Sequence, residues 1–176
     1  MEKEQARTIE VLQLAVRMEV DGKEFYRKAS RKRSNKLAKE LFRQLANEED
    51  IHRKKFVEIY AALKRGQNWP DVEPPSEKGK KIKSLFAEAT KALGSKFKVA
   101  ESELEAIKMA MDMEVRSYNL YYSRSAESTL PVEKQFYKTL AGEERGHHLA
   151  LLDSYEYLSD PAGWFTKKEH WSLDGA

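Results

Sequence analysis

Taken in alternating steps of three and four, the segment 38–63 reads Ala38, Phe42, Leu45, Glu49, His52, Phe56, Ile59 and Leu63. That spacing predicts one core-facing stripe of an α-helix. Three further stripes have the same form. They read Leu12, Ala15, Glu19, Gly22, Tyr26, Ala29; then Ile107, Met111, Glu114, Tyr118, Tyr121; then Tyr137, Leu140, Glu144, His147, Leu151, Leu158. Long helices are therefore expected at about 4–31, 35–65, 99–127 and 130–158. Ser34 and Thr129 are the expected N-caps of the second and fourth. Pro131 suits a first helical turn, where its missing N–H is harmless. The Pro- and Gly-bearing stretch 65–81 breaks the pattern, a short helix is expected at 82–94, and no segment carries a strand pattern.

The halves repeat. "MEVDGKEFY" (18–26) aligns with "MEVRSYNLY" (113–121), and "LANEEDIH" (45–52) with "LAGEERGH" (140–147), both at an offset of 95 residues. Acid, imidazole and phenol keep their register across two separated segments, which indicates duplication rather than chance. Each half predicts a helical hairpin, about 4–65 and 99–158, joined by a crossover at 66–98 and followed by an arm at 159–176. A connection that long can carry the chain the length of a bundle. The expected fold is all-α, a four-helix bundle of two duplicated hairpins in one domain.

Each stripe is apolar except at one level. Glu19 lies about 14 residues before its turn and Glu49 about 15 after it, so each stands roughly 21–23 Å from the turn. Glu114 and Glu144 repeat that arithmetic. Four carboxylates at one height cannot all stay ionised in a core without cations, and burying even one unpaired charge costs several kcal/mol. Two divalent ions, with His52 and His147 completing the donor set, would compensate. Such oxygen-rich, nitrogen-poor donors suit iron or manganese, with zinc also possible.

Composition narrows the remainder. The 176 residues carry a formal charge of +3 from 32 basic and 29 acidic side chains, which points to no nucleic-acid partner. The absence of cysteine excludes disulfides, thiol catalysis and cysteine-ligated iron within this chain. No apolar run approaches the roughly 20 residues of a membrane span and the N-terminus has no signal-peptide pattern, so a soluble, cytoplasmic protein is expected. Glu48 and Glu143, about 100° off the stripes, are expected to be exposed or to support the ligands rather than to bind metal. His148 is expected at the surface and His170 in the arm, while Met18, Met111 and Met113 are expected to be packing residues. Trp164, Phe165 and Trp171 are expected to pin the arm to the bundle or to a partner subunit.

One Glu from each of two helices plus Glu-x-x-His from each of the other two is the ligand template known for ferritin-like di-iron proteins; the template is theirs, and the match is what this sequence supplies. On these motifs the chain resembles the rubrerythrin branch of the ferritin-like superfamily, from about residue 8 into the arm "DPAGWFTKKEHWSLDG". The resemblance implies Glu19 and Glu114 as terminal ligands, Glu49 and Glu144 as bridges, and His52 and His147 as one nitrogen ligand per ion. It also implies that Tyr26 and Tyr121 lie beside the site. Rubrerythrins proper carry a four-cysteine rubredoxin domain, so electrons for this chain would come from an external donor such as a rubredoxin. They also carry a further Glu where this chain has Met111, and a second Glu on the fourth helix where it has His147; the His/His arrangement looks more like bacterioferritin. Two activities stay open: reduction of hydrogen peroxide (or activation of oxygen) at a di-iron site, and ferroxidase-type iron handling. A homodimer or larger homo-oligomer is expected.

Overall fold

The computed structural model describes residues 2–32, 34–73, 80–95 and 98–166. Five helices follow in order: α1 (Glu2–Lys32), α2 (Lys36–Lys64), α3 (Lys80–Leu93), α4 (Glu101–Glu127) and α5 (Pro131–Ser159). Residues 161–166 add a short helical segment, and no strand occurs among the described residues. No helix among these is long and apolar enough to cross a membrane. The fold is the all-helical, ferritin-like bundle expected, with α1–α2 and α4–α5 as the hairpins and α3 packed across α2 and α5.

Two of the expected caps are displaced by one residue. Asn35, not Ser34, caps α2, its Oδ1 accepting the N–H groups of Leu37 (2.9 Å) and Ala38 (3.2 Å). Ser34 is drawn elsewhere: its hydroxyl (2.9 Å) and N–H (2.7 Å), with the Asn35 N–H (3.0 Å), all donate to Glu103 at the start of α4. The N-cap position of α5 falls on Leu130, not Thr129, and Pro131 occupies the first turn as expected. Lacking a capping side chain there, the turn relies on Ser128, whose hydroxyl accepts the Leu130 N–H (3.2 Å) and donates to Glu133 (2.8 Å).

Glu103 and Thr8 are counterparts under the 95-residue offset, and each ties the start of one hairpin to the turn of the other. At the second of these joints the Arg124 guanidinium donates to Glu133 Oε1 (2.8 Å from Nε, 2.7 Å from Nη2) and to the Thr8 hydroxyl (2.6 Å), all of it buried. The two joints set the relative height of the hairpins, and with it the level at which the four acids meet.

Two apolar clusters fill the interior, one on either side of that level. The first includes Tyr26, Phe42, Leu45, Ile107 and Leu151; the second includes Leu12, Phe56, Tyr121, Tyr137 and Leu140. The arm joins the first cluster. Trp164 meets Phe86 edge-on (centroids 5.6 Å) and Tyr157 (5.2 Å), and Phe165 meets Tyr157 at 6.0 Å. Trp171 and His170 lie outside the described residues. Beneath the arm the Tyr157 hydroxyl donates to the Gly94 carbonyl (2.6 Å), fixing the end of α3.

Arg124 and Glu133 form a buried ion pair, so removing one partner strands the other charge in the core. Arg124→Met should destabilise the protein by about 3–5 kcal/mol in denaturant melts, and adding Glu133→Leu should recover most of that loss.

Candidate metal centre

Helical periodicity places Glu19 on α1, Glu49 and His52 on α2, Glu114 on α4, and Glu144 and His147 on α5, all six turned inward. Each is 5% exposed or less. The structure brings all six together. Around His52 Nδ1 stand Glu144 Oε1 (3.2 Å), Glu19 Oε2 (3.5 Å) and Glu49 Oε2 (4.0 Å). Around His147 Nδ1 stand Glu144 Oε2 (3.4 Å), Glu114 Oε2 (3.5 Å) and Glu49 Oε1 (3.7 Å). The two imidazoles are stacked, 5.7 Å between centroids and 12° between planes.

These distances divide the donors into two groups, Glu19, Glu49, His52, Glu144 and Glu49, Glu114, Glu144, His147, with ligand atoms inside each within 4.8 Å of one another. Glu49 and Glu144 belong to both and offer one oxygen to each. The geometry is that of two adjacent cation sites sharing two carboxylates. Glu19 Oε2, His52 Nδ1, both Glu144 carboxylate oxygens and His147 Nδ1 are buried and have no hydrogen-bond partner. Buried polar atoms ordinarily find partners, so this concentration of orphaned donor atoms is what a pair of ions would satisfy. A metal fits.

The tyrosines act across the repeats. The Tyr26 hydroxyl donates to Glu114 Oε1 and the Tyr121 hydroxyl to Glu19 Oε1, so each phenol belongs to one hairpin and its acceptor to the other. Each bond engages one carboxylate oxygen and leaves the other for a cation. Burial pushes both phenols well above their usual range, and the neighbouring carboxylates add to the shift, so both remain protonated donors.

Glu48 is no surface acid. It is 5% exposed, its Oε2 lies 2.6 Å from His147 Nε2, and Gln44 Nε2 donates to its other oxygen (2.9 Å). The bond orients the His147 ring with Nδ1 toward the ligand set, the support that metal-binding histidines generally receive. Burial alone would raise Glu48, but the bond to His147, the charges of His147 and His52 and the bond from Gln44 together outweigh it and hold the carboxyl below its usual range. Glu143, its counterpart, is 1% exposed, and the two bring ligand atoms within 4.8 Å of His147. Of the alternatives expected for these acids, exposure is therefore wrong and support holds for Glu48. Four packed helices enclose a wider arc than the narrow stripe suggests, so a residue 100° off it is still inside. His148 also departs from expectation. It is half-buried, with Nδ1 3.4 Å from the Met111 carbonyl.

Glu49, Glu114 and the two histidines are driven toward protonated forms, and a cation would displace those protons. Burial pushes Glu49 well above the carboxylate range, with Glu19 and Glu144 adding to it. Burial likewise carries Glu114 up to about 8, against the opposing pull of His147. Burial would lower both histidines, yet the carboxylates outweigh it and raise His52 to about 10 and His147 well above its usual value. Glu144 shifts the other way: burial raises it, but the two imidazoles it touches prevail and keep it ionised.

The rubrerythrin family model matches residues 10–155. A hypothetical protein from Pyrococcus furiosus has a similar structure, with a TM-score of 0.61 and 23% identity over 85% of this chain and 89% of its own; that likeness is one of fold. No curated protein matches the chain in sequence.

Two expectations follow from the geometry. Offered Fe(II) without air, or Zn(II), the protein should take up two ions per chain by elemental analysis, with less uptake at lower pH because protons leave as metal enters. Replacing Glu49 and Glu144 together by Gln should abolish paired binding, and a wild-type protein that takes up one ion or none would refute the reading. Tyr26→Phe frees Glu114 to rotate and should weaken the ion beside His147 by roughly 10–100-fold in a titration, leaving the ion beside His52 nearly unchanged.

Proposed function

Because the chain belongs to the rubrerythrin family and buries a donor set for two adjacent cations, we propose that it is a non-haem di-iron oxidoreductase that reduces hydrogen peroxide. Glu19, Glu49, His52, Glu114, Glu144 and His147 would hold the two irons, Glu49 and Glu144 bridging them. The observation that carries this reading is the division of the oxygens of Glu49 and Glu144 between the two imidazoles. Two ferrous ions bound there would supply one electron each, the two electrons that, with two protons, cleave the O–O bond of peroxide to two waters.

The chain's own residues set the conditions. Glu19 and Glu114 are each tethered by a phenol through one oxygen, and the other oxygen of each would hold an ion. Tyr26 and Tyr121 stand within reach as proton donors through the carboxylates they bond. The apolar clusters above and below the acid layer keep bulk water from the reacting atoms. With no cysteine in the chain, reducing equivalents would come from an external donor such as a rubredoxin. A peroxide-consuming role of this kind belongs to the response to oxidative stress.

The second reading is ferroxidase-type iron handling. It is favoured by His147 where rubrerythrins proper have a Glu, and by Met111 where they have a further one. Oligomer size separates the two cheaply: a homodimer in size-exclusion chromatography supports the enzyme, and a shell of many subunits supports iron storage.

Stopped-flow mixing decides the oxidant. The anaerobically reduced di-iron protein should be oxidised by one equivalent of peroxide per site, faster than by oxygen. Oxidation by oxygen at an equal or greater rate would transfer the assignment to the ferroxidase-type alternative.

A further inference from the structure

The 95-residue offset predicts that the two faces of the metal layer should look alike, and they do not. On the α4–α5 side a cavity of about 290 Å³ is lined by Glu114, Val115, Tyr118, Asn119, Arg145 and His148. Glu114, a candidate metal ligand, is the only acid in that lining. Under the offset the corresponding residues on the α1–α2 side are Glu19, Val20, Lys23, Glu24, Asp50 and Arg53. There the surface carries an ion-pair knot. Asp50 binds Lys23 (2.7 Å), Arg53 (3.0 Å) and Lys54 (3.0 Å), tying α2 to α1 through Lys23, one helical turn beyond Glu19. The three cations hold the Asp50 carboxyl well below its usual range, the Lys23 contact first among them. A larger groove beside the knot is lined by Lys23, Arg27, Arg43 and Asp50 among others, but by none of the six candidate ligands.

The exchange of Asp50 for Arg145 at equivalent positions explains the difference. Asp50 gathers the cations of its face into a knot. The one acid in the cavity lining with Arg145 is Glu114, which is already bonded by Tyr26, and Tyr118 and Asn119 replace Lys23 and Glu24, so no comparable ion-pair knot gathers on the matching surface. His148 is steadied at the rim by the Met111 carbonyl.

The geometry points to this cavity as the port through which a small hydrogen-bonding oxidant, or a small monoanion that mimics it, reaches the metal pair beside Glu114. This assignment rests on the di-iron reading above. Guanidinium, imidazole, phenol and amide groups line the passage as hydrogen-bonding partners, a lining that suits peroxide or a monoanion such as azide. Arg145 places a positive charge in the lining, which favours a monoanion over a divalent cation. Arg145 is a binding residue of the port, and Asn119, exposed at its edge, is where the port can be blocked.

The test uses the iron-loaded, oxidised protein with azide as the probe, following the azide-to-iron absorption band in a stopped-flow instrument. Asn119→Trp should slow azide binding at least about tenfold, while Glu24→Trp, the same change at the equivalent position of the face that carries the knot, should leave the rate unchanged. Arg145→Gln should raise the azide Kd several-fold with the metal content unaltered. Elemental analysis before azide is added separates the two levels of the argument: a wild-type protein without two irons overturns the di-iron reading itself. If iron loads fully and Asn119→Trp binds azide at the wild-type rate, or Glu24→Trp slows it equally, the port assignment is wrong and the metal site stands. Should Asn119→Trp fail to fold, Arg145→Gln decides alone, an unchanged azide Kd overturning the assignment.

Discussion

Placing four carboxylates at one level of an otherwise apolar core is the constraint on which this structure turns. Desolvation and mutual repulsion oppose the arrangement, each charge costing several kcal/mol if left uncompensated. Glu49 and Glu114 are driven toward their protonated forms, while the imidazoles between them are driven toward the charged form. The protein tolerates this because the rest of the fold holds the groups where a doubly charged pair of ions can relieve all of them at once. The tyrosines, Glu48 and the joints at Glu103 and Arg124 are parts of that restraint.

Rigidity arises from distribution. Neither hairpin contains a complete site, so the site's precision depends on how the hairpins are held against each other. The structure provides one polar joint at each end and apolar clusters between, with the acid layer near the middle. A shift of one helical turn between the hairpins, about 5.4 Å, would remove Glu49 from reach of His147 and Glu114 from reach of Tyr26 while leaving most apolar contacts replaceable. Apolar surface is interchangeable along a bundle; hydrogen-bonded joints are not, and they fix the register.

Much of this was legible in the sequence, for a definite reason. Metal ligands on helices must keep a helical period and a common height, and both are countable, so Glu19, Glu49, His52, Glu114, Glu144 and His147 could be placed without coordinates. The tyrosines could be placed near the site, but not their acceptors: the offset pairs Tyr26 with Tyr121, whereas the structure bonds Tyr26 to Glu114 across the hairpins. Glu48 was ambiguous because a one-dimensional stripe does not report how far neighbouring helices wrap around it. The caps slipped by one residue because Glu103, distant in sequence, competes for Ser34. The difference between the two faces stayed hidden for a similar reason, since Asp50 and Arg145 show no common chemistry until the partners of Asp50 are seen.

The crossed tyrosines have one more consequence. Each hairpin carries two inward carboxylates, an imidazole and a phenol, yet the acceptor for its phenol lies in the other hairpin. A single hairpin would therefore be chemically incomplete, and two identical hairpins related by a two-fold axis would complete each other with no new residue. The arrangement is that of a symmetric pair fused into one chain. After fusion the halves were no longer obliged to be identical, and substitutions on one face ceased to be imposed on the other.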